Sequence, residues 1–338
     1  MILTADLHLT DSSEDAYRWV IFKELRRIAA ETHDTEIVIL GDLTDRKDRH
    51  SSELVNRLIQ ELSALADKND ITILMGNHDR PINGRPFWQF LDRINSRSLR
   101  FVTKPLDRAG GSELYLPYAA NPAEEWAQVK LSGRRVIFIH QTVTGAIGNN
   151  GHELENKKMV SFPRGVRVYA GDIHVPQKVG PVTYVGAPYP IKFGDDYPCR
   201  ILSLDSRYGI AQEHLLTPPA KRILRISSLE ELDRITINFS DKLRVFYSLP
   251  IAHLESWPDI KTKIENWSDS VWASLVSVEP TIVGRAADAG STPDEPQTER
   301  FDALTSEGIL RAFAEAEGVS DSMLNYALAL TKKLAGAV

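Results

Sequence analysis

Over its first 200 residues the chain alternates short β-branched or aliphatic runs with stretches whose apolar residues fall at helical spacing, and this constrains the fold more than any other feature. Ile2 to Ala5, Ile37 to Leu40 and Ile71 to Met75 read as buried strands, because each is a brief apolar run ended by a polar or turn-forming residue. Between them Ile21, Leu25, Ile28 and Ala29 recur at i, i+4, i+7 and i+8. Leu54, Leu58, Leu62 and Leu65 form a second stripe behind capping residues at Ser51 and Ser52. Strands joined by crossover helices predict an α/β fold. Further strands are expected at Leu114 to Leu116, Val136 to Ile139, Val168 to Ala170, Val182 to Val185 and Ile201 to Leu204, so the later part of this region is the more β-rich.

Pro218 and Pro219, after Thr217, forbid a continuing helix or central strand and mark a boundary. At 338 residues, against about 100–200 per domain, a second unit is expected beyond it. The predicted plan is a domain over 1–217, a small α+β domain over 221–282, a linker over 283–299 and two short helices within 300–338. In the small domain, strands at Arg222 to Ile226, Leu243 to Leu249 and Val271 to Val278 surround a helix near Pro258 to Trp267. The single cysteine, Cys199, excludes an internal disulfide and a thiolate cluster, so a metal site must use His, Asp, Glu or Asn. A net charge of −6 argues against bulk capture of nucleic acid, so a polyanion would be held locally. No run nears the ~18 apolar residues of a membrane span, and the N-terminus lacks a signal-peptide pattern. A cytoplasmic protein without membrane attachment is expected.

Five short motifs stand at the ends of expected strands, and all present oxygen or imidazole ligands. Asp6-Leu7-His8 points a carboxylate and an imidazole the same way at a strand end. Gly41-Asp42-Leu43-Thr44-Asp45 delivers Asp42 at a sheet edge after a sharp turn. Gly76-Asn77-His78-Asp79 sets an amide beside two ionisable groups, which suits ligation and proton transfer. His140 follows Val136 to Ile139, and Gly171-Asp172-Ile173-His174 follows Val168 to Ala170. Each alone is compatible with loop hydrogen bonding. Together they place ligands at the carboxyl ends of adjacent strands, the crevice where α/β sheets bind ligands.

The order D-x-H, G-D-x-x-D, G-N-H-D, H and G-x-x-H resembles the calcineurin-like metallophosphoesterases over about residues 1–205. The resemblance implies a four-layer αββα sandwich with two metal ions. By that resemblance Asp6, His8, Asp42 and His174 would hold one metal, and Asp42 would bridge to a second held also by Asn77, His140 and Asp172. Two cations ~3.5–4 Å apart polarise phosphoryl oxygens, acidify a bridging water and orient in-line attack. Three ligating carboxylates against two divalent cations leave about +1, which favours phosphate even on an acidic protein. His78 is the expected transition-state stabiliser or acid for the leaving oxygen, with Asp79 orienting its ring. Where the family commonly has histidine this chain has Asp172. That hardens the site and tilts the expected metal to Mn²⁺, with Mg²⁺ as the other hard candidate.

Tyr184-Val185-Gly186-Ala187-Pro188 and Phe193-Gly194-Asp195 resemble the segment closing the catalytic domain of SbcD-like DNA double-strand-break repair nucleases. That resemblance implies a DNA exo- or endonuclease subunit of a repair or recombination complex. It also implies a capping domain that positions DNA, and C-terminal helices in 300–338 that bind an SbcC-like SMC-type ATPase; a homodimer is compatible with the plan. Asp45 departs from it, since those nucleases commonly have histidine three residues after the bridging aspartate, and Asp45-Arg46 is closer to the phosphatase branch. The alternative is a stand-alone phosphatase or phosphodiesterase for nucleotides, cyclic nucleotides or phosphoproteins. Arg46 and Arg80, beside the motifs, and Arg222, Arg225, Lys242 and Arg244, in the small domain, are candidate phosphate or DNA contacts; solvated surface charge is the competing reading.

Overall fold

The structure, a computed structural model, describes residues 1–94 and 98–283. Apart from Val283, the linker expected over 283–299 and the helices expected within 300–338 lie outside the described residues.

Two compact units divide the chain. The first comprises Met1–Arg222 and Asn238–Lys242. Its strands, in chain order, are β1 (Ile2–Thr4), β2 (Glu36–Ile39), β3 (Asp70–Leu74), β4 (Leu99–Val102), β5 (Leu106–Arg108), β6 (Glu113–Leu116), β7 (Val136–His140), β8 (Arg167–Gly171), β9 (Gln177–Val179), β10 (Val182–Tyr184), β11 (Arg200–Leu204) and β12 (Ile210–Leu215). They form two six-stranded sheets, ordered β12-β11-β1-β2-β3-β4 and β5-β6-β7-β8-β10-β9. In the first sheet β1 to β4 run parallel. In the second β6, β7, β8 and β10 run parallel, with antiparallel β5 and β9 at its edges.

Strand alternation builds the layers. Leu3, Val38 and Leu74 pack with Tyr115, Val136, Phe138 and Tyr169 in a core between the sheets. The residues between them, Ile2, Ile37, Ile39, Ile71 and Ile73, face outward onto Leu25 and Ile28 of α1 (Ile21–Thr32) and the Leu54, Leu58, Leu62 and Leu65 stripe of α2 (Ser52–Ala66). The predicted stripes are thus core, and Ser51 caps α2 by accepting from Leu54 N at 3.1 Å. Leu91–Ile94 forms α3. On the far side Ile137, Ile139, Val168 and Ala170 are covered by Trp126, Val143, Ala146 and Val166. This αββα sandwich has a fourth layer made of the four-residue α4 (Pro122–Glu125) and connecting segments, because Gly145, Gly148, Gly151, Pro163 and Gly165 interrupt any long helix there.

Among the described residues the second unit takes Ile223–Ile237 and the chain from Leu243 to Val283. Its sheet is ordered β13 (Lys221–Ile226), β14 (Lys242–Pro250), β15 (Ser274–Val283), and α5 (Trp257–Ser270) packs on it through Ile264 against Leu224, Leu243, Val245 and Leu249. Two expectations need correction. β15 starts later than Val271, because Val271 and Trp272 turn back to close α5, their N–H groups donating to Trp267 and Asp269, with Trp272 at φ 57°. The division between units is also not one cut near 221. Buried Asp241 accepts from Ala220 N at 2.9 Å and Asn238 N at 3.1 Å, which keeps 238–242 with the first unit.

Candidate metal centre

The parallel strands β1, β2, β3, β7 and β8 all end on one side of the sandwich, and the five motifs occupy those ends. The ladder between β1 and β2 continues past both strands: Asp6 N donates to Gly41 O, His8 N to Asp42 O and Leu9 N to Leu43 O. Along this shared path Asp6, His8 and Asp42 take left-handed backbone conformations, at φ 54°, 40° and 52°, and Asp172, after β8, does so at φ 86°. Non-glycine residues adopt that region only where their surroundings impose it, and such strain collects at functional sites. Gly76 is fixed by close approach, because a Cβ there would overlap the Asp42 carboxylate.

The side chains converge in two halves that meet at Asp42. In one, Nε2 of His8 lies 3.3 Å from Nε2 of His174 and 3.4 Å from Asp42 Oδ2. The Asp6 carboxyl is fully buried, and its Oδ2 has no hydrogen-bond partner. In the other half His140 donates from Nδ1 to the Leu40 carbonyl at 2.6 Å, which leaves Nε2 as a bare lone pair. That nitrogen lies 3.4 Å from Asp42 Oδ1, 3.0 Å from the Asn77 amide oxygen and 3.8 Å from Asp172 Oδ1. Turning the Asn77 amide over would let its NH₂ donate to His140 Nε2 and Asp42 Oδ2 at 3.0 Å each; as placed, its oxygen adds another acceptor. Ligand atoms of Asp6, His8 and His174, and those of Asp6, Asp42 and His140, lie within 4.8 Å of one another. An orphaned carboxylate oxygen and lone pairs aimed at common points fit divalent cations.

The electrostatics agree. Burial pushes the Asp6 carboxyl up to about 8, and burial with the neighbouring Asp79 raises Asp42. Burial pulls His8 down to about 3 and His174 to about 4, so both imidazoles are neutral, the form that ligates. Buried acids held protonated beside buried imidazoles held neutral are groups whose charge awaits a cation.

Around the donors, polar partners fix their orientation, and sequence reasoning missed most of these. Asp45 Oδ1 sits 3.3 Å from His8 Nδ1, and the His8 contact draws the Asp45 carboxyl down to about 2. Thr142 Oγ1 donates to Asp172 Oδ2, and Asp172 N donates to Asp6 Oδ1 at 2.9 Å, so Asp172 is drawn into the cluster. Asn149 Nδ2 contacts His174 Nδ1 at 3.2 Å. Asp79 does not orient His78: its buried carboxylate accepts from Gly76 N at 2.8 Å and Leu43 N at 3.1 Å, tying the second motif to the third. The His78 ring instead sets Nδ1 2.6 Å from the Asp45 carbonyl, and its backbone N donates to Asp42 Oδ1 at 2.9 Å. A nitrogen of His78 also groups with His8 and Asp42 within 4.8 Å.

The basic candidates are scattered. Arg46 is exposed on the loop after Asp45, and Arg80 pairs with Glu125 at 2.8 Å. In the three-stranded sheet Arg225, Lys242 and Arg244 lie on the face opposite the core, with Arg225 over the Phe246 ring at 5.1 Å. Arg222 does not join them. It has the parity of buried Leu224 and Ile226, and its guanidinium lies 3.8 Å from Asp241.

An αββα sandwich that gathers carboxylates, imidazoles and an amide at its strand ends is the framework of a metal-dependent hydrolase. The model of the calcineurin-like phosphoesterase family matches residues 1–195, more than half the chain, and the protein belongs to that family of metal-dependent hydrolases acting on phosphoesters. No curated protein matches it.

Proposed function

We propose that the protein is a two-metal phosphodiesterase acting on DNA, the nuclease subunit of an SbcCD-like repair or recombination complex. The observation that supports the reading is the grouping of ligand atoms of Asp6, His8 and His174, and of Asp6, Asp42 and His140, within 4.8 Å of one another, with oxygens of Asn77 and Asp172 3.0 and 3.8 Å from Nε2 of His140. These residues would hold the cations, with Asp42 shared. Once bound, the cations would polarise the phosphoryl oxygens and supply an acidified water. The oxygen-rich donor set favours Mn²⁺ or Mg²⁺ over zinc. His78, anchored through Nδ1 on the Asp45 carbonyl, keeps Nε2 to pass a proton to the leaving oxygen. Residues 221–282 act as a cap that positions DNA through Arg225, Lys242 and Arg244, and residues 300–338 bind an SbcC-like ATPase.

The test is hydrolysis of linear single-stranded and duplex DNA, alongside bis-(p-nitrophenyl) phosphate, with Mn²⁺. Both substrate classes should turn over, Asp42→Ala should be inactive, and His78→Ala should lose about 10²–10⁴-fold in kcat. Hydrolysis of nucleotides or phosphoproteins with no cleavage of DNA would move the assignment to a stand-alone phosphatase, a reading that Asp45-Arg46 favours.

A further inference from the structure

Beside the metal centre the first unit carries an open basin of about 870 Å³ that no motif led to. It lies where the chain leaves β3, β4 and β6, with Met75, Thr103 and Pro117 in its lining. Four prolines, Pro81, Pro86, Pro105 and Pro117, stiffen its walls. Three cations line it, Arg80, Arg85 and Lys104, against one acid, Glu125. Arg80 is paired with Glu125 and sets its guanidinium 6.0 Å from the centroid of the Tyr118 ring, whereas Arg85 and Lys104 are exposed and make no ion pair among the described residues. Tyr118 joins the basin to the metal centre. Its N–H donates to the Met75 carbonyl at 2.8 Å, and its half-buried ring lies 6.4 Å from that of His140. Ile82 stands almost wholly in water, at 90% exposed, on the basin's rim.

Each feature has a counterpart in an unpaired nucleotide. An aromatic face beside the scissile position stacks a base of any identity, exposed cations hold the next phosphates, and an apolar rim shields the sugar and base edge. A free phosphomonoester would need none of this beyond the metal centre. We propose that the basin binds the unpaired nucleotides adjoining the scissile phosphate, with Tyr118 as the stacking platform and Arg85 and Lys104 as the phosphate contacts. The substrate presented to this site is then single-stranded DNA, or a strand end peeled from its complement. This rests on the phosphodiesterase reading above, and the experiment keeps the two separable.

The experiment measures binding of a fluorescein-labelled dT₁₂ oligonucleotide to the full chain by anisotropy across a salt series, and hydrolysis of bis-(p-nitrophenyl) phosphate with Mn²⁺. The proteins are wild type, Tyr118→Ala and the double variant Arg85→Gln with Lys104→Gln. Tyr118→Ala and the double variant should each weaken dT₁₂ binding about tenfold. The double variant should also flatten the slope of log K against log salt by about 1.4, two single-strand phosphate contacts' worth. Its turnover of the small diester should stay within about twofold of wild type, showing an intact fold and centre. Unchanged dT₁₂ affinity and salt slope in both variants would overturn the basin's role while leaving the phosphodiesterase reading standing. Failure of the wild type to hydrolyse the small diester would instead overturn that reading, and the basin's assignment with it.

Discussion

Burial sets opposite protonation preferences for neighbouring residues at this centre, and that makes the metal-free chain pH-sensitive in a defined direction. Asp6, raised to about 8, holds a proton in the folded chain that the unfolded chain releases near 3.8. Its contribution to stability is present at low pH and is lost as pH rises through 8. His8 at about 3 and His174 at about 4 act the other way, since unfolding lets them bind protons below 6.5. From about pH 4 to 6.5 the two effects oppose each other. From 6.5 to 8 only the raised carboxyls remain, so the melting temperature of protein held in chelator should fall across that interval. Added Mn²⁺ should raise it more at pH 8 than at 6.5, because ligation needs the deprotonated carboxylates. Thermal melts with chelator and with Mn²⁺ check this, and a melting temperature that rises from pH 6.5 to 8 in chelator would contradict it. The donors themselves were legible as residues, because each motif sits at the end of an apolar run. Their supports were not: Asp45 on His8, Thr142 on Asp172 and Asn149 on His174 meet through loops that carry no periodic signal. Asp79 was misread because sequence adjacency suggested His78 as its partner, whereas the turn aims its carboxylate at backbone N–H groups of two loops.

Among elements, the strained segment after β1 depends on donors from elsewhere in the fold. Three carbonyls of this segment are satisfied by buried side chains. Tyr189 donates to Leu7 O at 2.6 Å, Arg18 to His8 O at 2.5 Å and Trp19 to Thr10 O at 3.0 Å. Arg18 is 3% exposed and is held by Asp15 at 3.0 Å, which also takes Lys221 at 2.6 Å. Arg18→Met should therefore leave the His8 carbonyl without its side-chain donor and destabilise the protein by about 1–3 kcal/mol. At this size that is a fall in melting temperature of roughly 1–4 °C. A calorimetric scan of the variant checks it, and an unchanged melting temperature would show that the clamp contributes nothing. The central strands were legible because they are apolar on both faces. The unexpected β4, β5, β9 and β12 are edge strands, and exposed polar residues blur the alternation of β5, β9 and β12.

At the scale of the whole molecule, the sequence predicts a motif-bearing unit over 1–217 and a smaller one over 221–282. It did not show that 238–242 returns to the first unit, since that return depends on one buried carboxylate, Asp241, accepting from Ala220. The reading as an ATPase-coupled nuclease places the partner contact in 300–338. Deleting those residues should abolish co-purification with an SMC-type ATPase while leaving small-diester hydrolysis intact; retained co-purification would place the contact elsewhere.

In the proposed centre Asp42 joins two cation sites built from seven residues. Manganese bound per chain, measured by inductively coupled plasma mass spectrometry after equilibrium dialysis of the purified protein, tests it most directly. Wild type should bind two equivalents and Asp42→Ala fewer than one. One equivalent or less in the wild type, or two retained in the variant, would contradict it.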